Sequence, residues 1–175
     1  MLTPFTVPLL EQILGSKGLG LAFSQGISQI SIDSRQVLHP EQTLFVALKG
    51  AKADGITYVD SLIKAGVRCF LVAQNAALHA SWLEKACFIP VSDTRAALQS
   101  LASFQRGEFT KPIVGITGSN GKTIVKEWLG QVLSQQFAVA KSPKSYNSQV
   151  GVPLSIFGIQ PYHQVAILEA GVSKK

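Results

Sequence analysis

Residues 111–128, KPIVGITGSNGKTIVKEW, constrain this chain more than any other stretch. The apolar, β-branched run PIVGIT reads as a strand. Small residues follow, then Lys122 and Thr123. In TIVKEWLGQVLSQQF, the residues Val125, Trp128, Leu129, Val132 and Leu133 recur at helical spacing. A strand that passes through glycines into a helix is a cradle for an anion. Free backbone N–H groups and the positive end of the helix dipole meet there. Glycines let the backbone close around a phosphate where a Cβ would collide. A lysine at this point reaches terminal phosphates, and the hydroxyl after it suits Mg²⁺. The loop is a variant, because the strict pattern has glycine where this chain has Ile116; its glycines fall at 115, 118 and 121. That departure weighs against a generic kinase or GTPase.

The segments around the loop predict an α/β chain. VPLLEQILG reads as a helix closed near Gly15, ISQISIDSR as a strand ending at Asp33-Ser34-Arg35, and TLFVALKG as a strand entering the loop GAKADG. TYVDSLIKAG reads as a helix, VRCFLV as a strand, ALHASWLEKA as a helix and CFIPVS as a strand. DTRAALQSLASFQRG reads as a helix with an aspartate N-cap. The polar break RGEFTKP places a domain boundary near 108 to 111, dividing the chain into 1–108 and 109–175. The second part continues with a strand (FAVAK), a loop (SPKSYNSQ), a short helix (VGVPLSIFG) and a strand (QVAILEA). Three strands and two helices only begin a parallel sheet, which needs cover on both faces. A longer polypeptide is therefore expected.

Apolar residues make up 46% of the 175 and charged residues only 15%, which excludes a disordered chain. The net charge of +6 comes without a dense Lys/Arg block or basic–aromatic interleaving, so no nucleic-acid partner is expected. A small polyanion such as a nucleotide fits that charge equally well. No apolar run reaches membrane-spanning length, so no membrane insertion is expected. MLTPFTVPLLEQILGSKGLG has no basic leader, and a cytoplasmic location is the expectation. Cys69 and Cys87 lie in or beside apolar runs and read as buried free thiols. His39, His79 and His163 are isolated and lack metal-ligand spacing.

GITGSNGKT resembles the nucleotide loop of the Mur ligases, ATP-dependent amide-forming enzymes of peptidoglycan synthesis. Folylpolyglutamate synthetases have a similar loop but place it near the N-terminus, whereas here a whole domain precedes it. IDSRQV and TLFVALKGAKADG resemble the UDP-sugar-binding domain shared by the third-residue-adding and the D-alanyl-D-alanine-adding members. SYNSQVGVPLS is similar to the latter, and ILEAG to the family strand carrying an acidic Mg²⁺ ligand. The wording of KSYNSQVGVPLS and EAGVS is also similar to variants fused to a C-terminal alanine racemase. The chain departs from the pattern at Ile56 and Thr57, after Asp-Gly, and at Ile124.

The resemblance implies a small N-terminal α/β UDP-sugar-binding domain, followed by the first part of a P-loop parallel-sheet ATPase domain. It implies that Gly118, Ser119, Asn120, Gly121, Lys122 and Thr123 hold ATP, with Lys122 catalytic and Thr123 and Glu169 on Mg²⁺. Ser34, Arg35, Ala51, Lys52, Ala53 and Asn147 would serve the UDP substrate, Asn147 lying between it and the ATP γ-phosphate. Read without the family, Asp33-Ser34-Arg35 is a strand-end turn with a local ion pair and Asn147 a turn asparagine. The implied reaction joins D-alanyl-D-alanine to UDP-N-acetylmuramoyl-tripeptide through an acyl phosphate. The missing C-terminal part of the polypeptide would complete the site, leaving this chain inactive alone. A non-catalytic nucleotide or UDP-sugar-binding module and the third-residue-adding ligase remain open alternatives.

Overall fold

The computed structural model describes residues 1–50 and 54–171. The chain forms two compact units, Pro4–Leu101, and Met1–Thr3 with Ala102–Lys175.

The unit Pro4–Leu101 begins with α1 (Val7–Leu14). The Thr6 hydroxyl accepts from the Leu9 N–H at its start, and Gly15 closes it at φ 62°. Its sheet holds β1 (Leu19–Gly20), β2 (Gln29–Ser31), β3 (Thr43–Val46), β4 (Cys69–Ala73) and β5 (Cys87–Val91), in the order β1-β5-β4-β3-β2. The last four strands run parallel and β1 pairs antiparallel to β5. The helices α2 (Val59–Ala65) and α3 (Ala80–Leu83) connect β3 to β4 and β4 to β5. Register places Phe45, Phe70 and Phe88 side by side on three neighbouring strands. Phe70 and Phe88 stack with ring centroids 5.1 Å apart. Together with Val59, Leu62 and Val67 they build the core. β3, β4 and β5 are almost wholly buried, as strands covered on both faces must be. Cys69 and Cys87 are free, buried and directly paired across β4 and β5.

The helix α4 (Thr94–Glu108) starts where the Asp93 carboxylate accepts from the N–H groups of Arg95 and Ala96. The units divide at Leu101 and Ala102, inside this helix. Ala97, Leu98 and Leu101 are buried in the first half; Gln105 in the second half is also buried, and its side chain accepts from the Leu2 and Thr3 N–H groups.

The second unit carries β6 (Ile113–Ile116), α5 (Lys122–Leu133), β7 (Val139–Lys141), α6 (Gly151–Phe157) and β8 (Val165–Glu169). Its strands are parallel in the order β6-β8-β7, with β8 fully buried in the middle. Phe109, Ala140, Ile159 and Ala166 form its core.

Two expectations change. Only Gln29–Ser31 of ISQISIDSR is strand, because the Asp33 side chain accepts from the Arg35 N–H and turns the chain into a 3₁₀ turn at Ser34–Gln36. Within ALHASWLEKA only Ala80–Leu83 is helical. The face of α5 turned inward carries Lys126 and Gly130, both buried; of the apolar row, Leu129 and Leu133 are half-buried, and Val125, Trp128 and Val132 are 50%, 68% and 63% exposed. The cradle explains that rotation. Turning Lys122 and Thr123 toward the strand ends carries inward the residues one and two turns later, 126 and 130.

Candidate nucleotide site

The loop between β6 and α5 has the geometry of an anion cradle. Gly118 at φ 140° and Gly121 at φ 77° occupy backbone regions that favour glycine, and Gly121 is the N-cap of α5. No side chain caps this helix, so its first N–H groups face the loop. The Lys122 ammonium lies over the loop and donates to the carbonyl oxygens of Gly118 at 2.6 Å and Ser119 at 3.4 Å. Ser119 and Asn120 lie in the exposed part of the loop.

Thr123 points to the acidic end of β8. Its hydroxyl donates to Glu169 Oε2 at 3.0 Å, and the Asn147 amide donates to Oε1 at 2.8 Å. Glu169 is 1% exposed, and its backbone N–H donates to the Ser142 hydroxyl at 3.0 Å. Ile116 is the register partner of Glu169, so the loop begins beside the carboxylate. The Ser145 hydroxyl lies 3.5 Å from that of Thr123. Thr123, Asn147 and Glu169 thus come together from three separate segments. Among the described residues no three His, Cys, Asp or Glu side chains gather as a metal cluster. The oxygen set of Thr123 and Glu169 fits magnesium instead, which binds through one or two carboxylates together with phosphates and water.

Ser34 and Arg35 form a separate feature of the unit Pro4–Leu101. The Arg35 guanidinium donates to both Asp33 carboxylate oxygens, at 2.9 and 2.7 Å. That pairing holds the Asp33 carboxyl down to about 2. The local ion pair read from the sequence is therefore present, with Arg35 largely exposed and able to meet a further anion. Ala51, Lys52 and Ala53 lie outside the described residues. The Asp54 carboxylate that follows them accepts from the Ile56 N–H, within the stretch where Ile56 and Thr57 depart from the family pattern. His163 is a satisfied histidine: its Nδ1 accepts from the Gln160 N–H, and burial pulls its pKa down.

Sequence reasoning missed Lys126 and Ser142. Lys126 is fully buried and donates to the carbonyl oxygens of Ser142 and Lys144. The available signal was its spacing of one helical turn from Lys122.

The Mur ligase family, catalytic domain, matches residues 26–106, and the Mur ligase middle domain matches residues 116–175. The chain is 38% identical over 158 residues to the UDP-N-acetylmuramoyl-tripeptide–D-alanyl-D-alanine ligase of Treponema pallidum, covering 87% of this chain and 34% of that protein. It is 34% identical to the protein of the same name from Bacillus subtilis, covering 85% of this chain and 32% of the relative. A crystal structure of MurF from Acinetobacter baumannii aligns with TM-score 0.85 and 29% identity, over 98% of this chain and 36% of that one. MurF ligase from Thermotoga maritima in complex with ADP aligns with TM-score 0.70 and 29% identity, over 83% and 32%. The chain therefore spans about a third of the length of the curated relatives it matches. With both of its parts matched by domains of one family, the chain belongs to the Mur ligases.

Proposed function

We propose that this chain supplies the ATP-binding loop and the UDP-substrate pocket of a ligase that joins D-alanyl-D-alanine to UDP-N-acetylmuramoyl-tripeptide. The observation that carries the reading is the buried Glu169 carboxylate, held by Thr123 and Asn147 at the mouth of the GSNGKT loop. Burying a carboxylate is costly, and its placement beside a hydroxyl and a glycine cradle serves a cation–phosphate pair. The ADP bound to the Thermotoga maritima relative supports a nucleotide at the loop. The names of the Treponema pallidum and Bacillus subtilis relatives support the two substrates.

In this reading Gly118, Ser119, Asn120 and Gly121 wrap the ATP phosphates, and Lys122 neutralises the group being transferred. Thr123 and Glu169 would hold Mg²⁺, which offsets phosphate charge when bound. The tripeptide carboxylate attacks the γ-phosphorus of ATP, the bond to the β,γ-bridging oxygen breaks, and ADP leaves as the acyl phosphate forms. The dipeptide amine then attacks the acyl carbon, loses a proton and expels inorganic phosphate, leaving the amide. Ser34 and Arg35, with Ala51, Lys52 and Ala53, serve the uridine diphosphate. Asn147 holds the carboxylate end of the cation site. The reaction belongs in the cytoplasm, where ATP and nucleotide-linked precursors are available.

Acyl transfer requires several reactants in near-attack geometry, and positioning is worth roughly 7–11 kcal/mol of barrier. Among the described residues no dipeptide site is identified. Supplied with UDP-N-acetylmuramoyl-tripeptide, D-alanyl-D-alanine, ATP and Mg²⁺, it is expected to bind nucleotide and release no phosphate above background. Substrate-dependent phosphate release by the 175 residues alone, abolished by Lys122→Ala, would show a complete enzyme and overturn this division of labour.

A further inference from the structure

We infer that Lys126 is the positioning residue of the nucleotide site: it anchors the loop 142–147 so that Asn147 and Ser145 stand against Glu169 and Thr123. The part of this inference that concerns a cation rests on the reading of Thr123 and Glu169 given above.

Lys126 lies one helical turn beyond Lys122, and its side chain is fully buried. A lysine in that position needs partners for all three ammonium protons. The Ser142 carbonyl accepts one at 2.9 Å and the Lys144 carbonyl accepts another. Two carboxylates complete the surroundings, Glu127 at 3.2 Å and Glu169 at 3.8 Å. Glu127 is itself held from the other side by Lys141 at 2.6 Å.

The backbone that Lys126 grips is unusual. Lys144 has φ 49°, and it is the one non-glycine residue with positive φ among the described residues. A side-chain-bearing residue stays in that conformation only where its surroundings impose it. The Lys144 carbonyl is directed at the Lys126 ammonium, which is the imposing contact. Three residues later the chain delivers Asn147, whose amide holds Glu169 at 2.8 Å and whose carbonyl accepts from the Gly171 N–H at 2.7 Å. Between them lies Ser145, with its hydroxyl beside Thr123. Ser142, at the other end of the grip, accepts from the Glu169 backbone N–H. One buried ammonium thus fixes the first half of the loop, residues 142 to 144, from which Ser145 and Asn147 reach the carboxylate site. A simple counter-charge for Glu169 would not need the two carbonyl contacts.

The test uses the 175-residue chain labelled with ¹⁵N. The Asn147 side-chain amide resonance, identified by its loss in Asn147→Ser, reports the loop without any metal present. In Lys126→Met that resonance should move to the position of a solvent-exposed amide, while backbone resonances of α6 hold. Affinity for Mn²⁺ with ADP, read by electron paramagnetic resonance, should fall about 10–100-fold, as for other groups that orient a metal ligand. An Asn147 resonance that stays in place in Lys126→Met overturns the inference. Should that variant fail to fold, Lys126→Gln, which keeps one donor, is read by the same resonance: displacement supports the anchor and an unmoved signal refutes it. Glu169→Gln separates the two readings. Unchanged Mn²⁺ affinity there would remove the cation assignment, while a displaced Asn147 resonance in Lys126→Met would still establish the anchor.

Discussion

At the scale of single residues, the loop explains itself through chemistry and Glu169 through its neighbours. GSNGKT is legible because glycine, lysine and threonine at that spacing serve one purpose. Glu169 is legible only through the resemblance; what its burial means emerges when Thr123 and Asn147 are seen on its two oxygens. For Lys126 the only signal is its spacing of one helical turn from Lys122, and a lysine in an amphipathic stretch otherwise reads as solvated surface. Asp33 offers a pH test. Its carboxyl is held at about 2, against an ordinary 3.8, by the hydrogen bonds from Arg35. A depressed acid stabilises the folded chain above its ordinary pKa, and the contribution disappears as pH falls from about 4 toward 2. The pair is too exposed for that contribution to be large. A carbon-detected titration should find Asp33 ionised at pH 3, and Arg35→Gln should return it to the ordinary carboxylate range. An Asp33 midpoint near 4 in the unaltered chain would remove the ion pair.

Elements came through the sequence unevenly. β3, β4 and β5 were plain because strands covered on both faces are continuously apolar. β1, two residues long, has no pattern to read. The helix α5 was recognised, but its orientation was not: periodicity finds an apolar row without saying what covers it. In this chain Trp128 stands 68% exposed, whereas Leu98 on α4 is fully buried. Trp128→Ser should therefore change the stability of the 175-residue chain by no more than about 0.5 kcal/mol. Leu98→Ala should cost about 2–5 kcal/mol through lost burial and a cavity. Denaturant unfolding of both variants checks this, and a large cost for Trp128→Ser would mean that its face is covered.

For the whole molecule, alternating strands and helices interrupted by RGEFTKP give the expectation of a boundary near 108 to 111. The compact units divide inside α4, where a continuous helix carries no composition break. The unit Pro4–Leu101 has its own sheet and its own aromatic core. A polypeptide of residues 1–108, which keeps all of α4, should unfold cooperatively on its own. An ANS-binding product without a sharp transition would contradict an independent first domain.

In the proposed function, residues 118–123 cradle nucleotide phosphates and Lys122 is the charge that holds them. Titrating ADP and Mg²⁺ onto the ¹⁵N-labelled chain tests it most directly. The backbone amides of Gly118 through Thr123 should shift first and furthest. In Lys122→Ala the affinity should fall about 10–100-fold, the worth of one hydrogen bond to a charged group at roughly 1.5–3 kcal/mol. Saturable binding that leaves those six amides unmoved, or that is indifferent to Lys122→Ala, would contradict it.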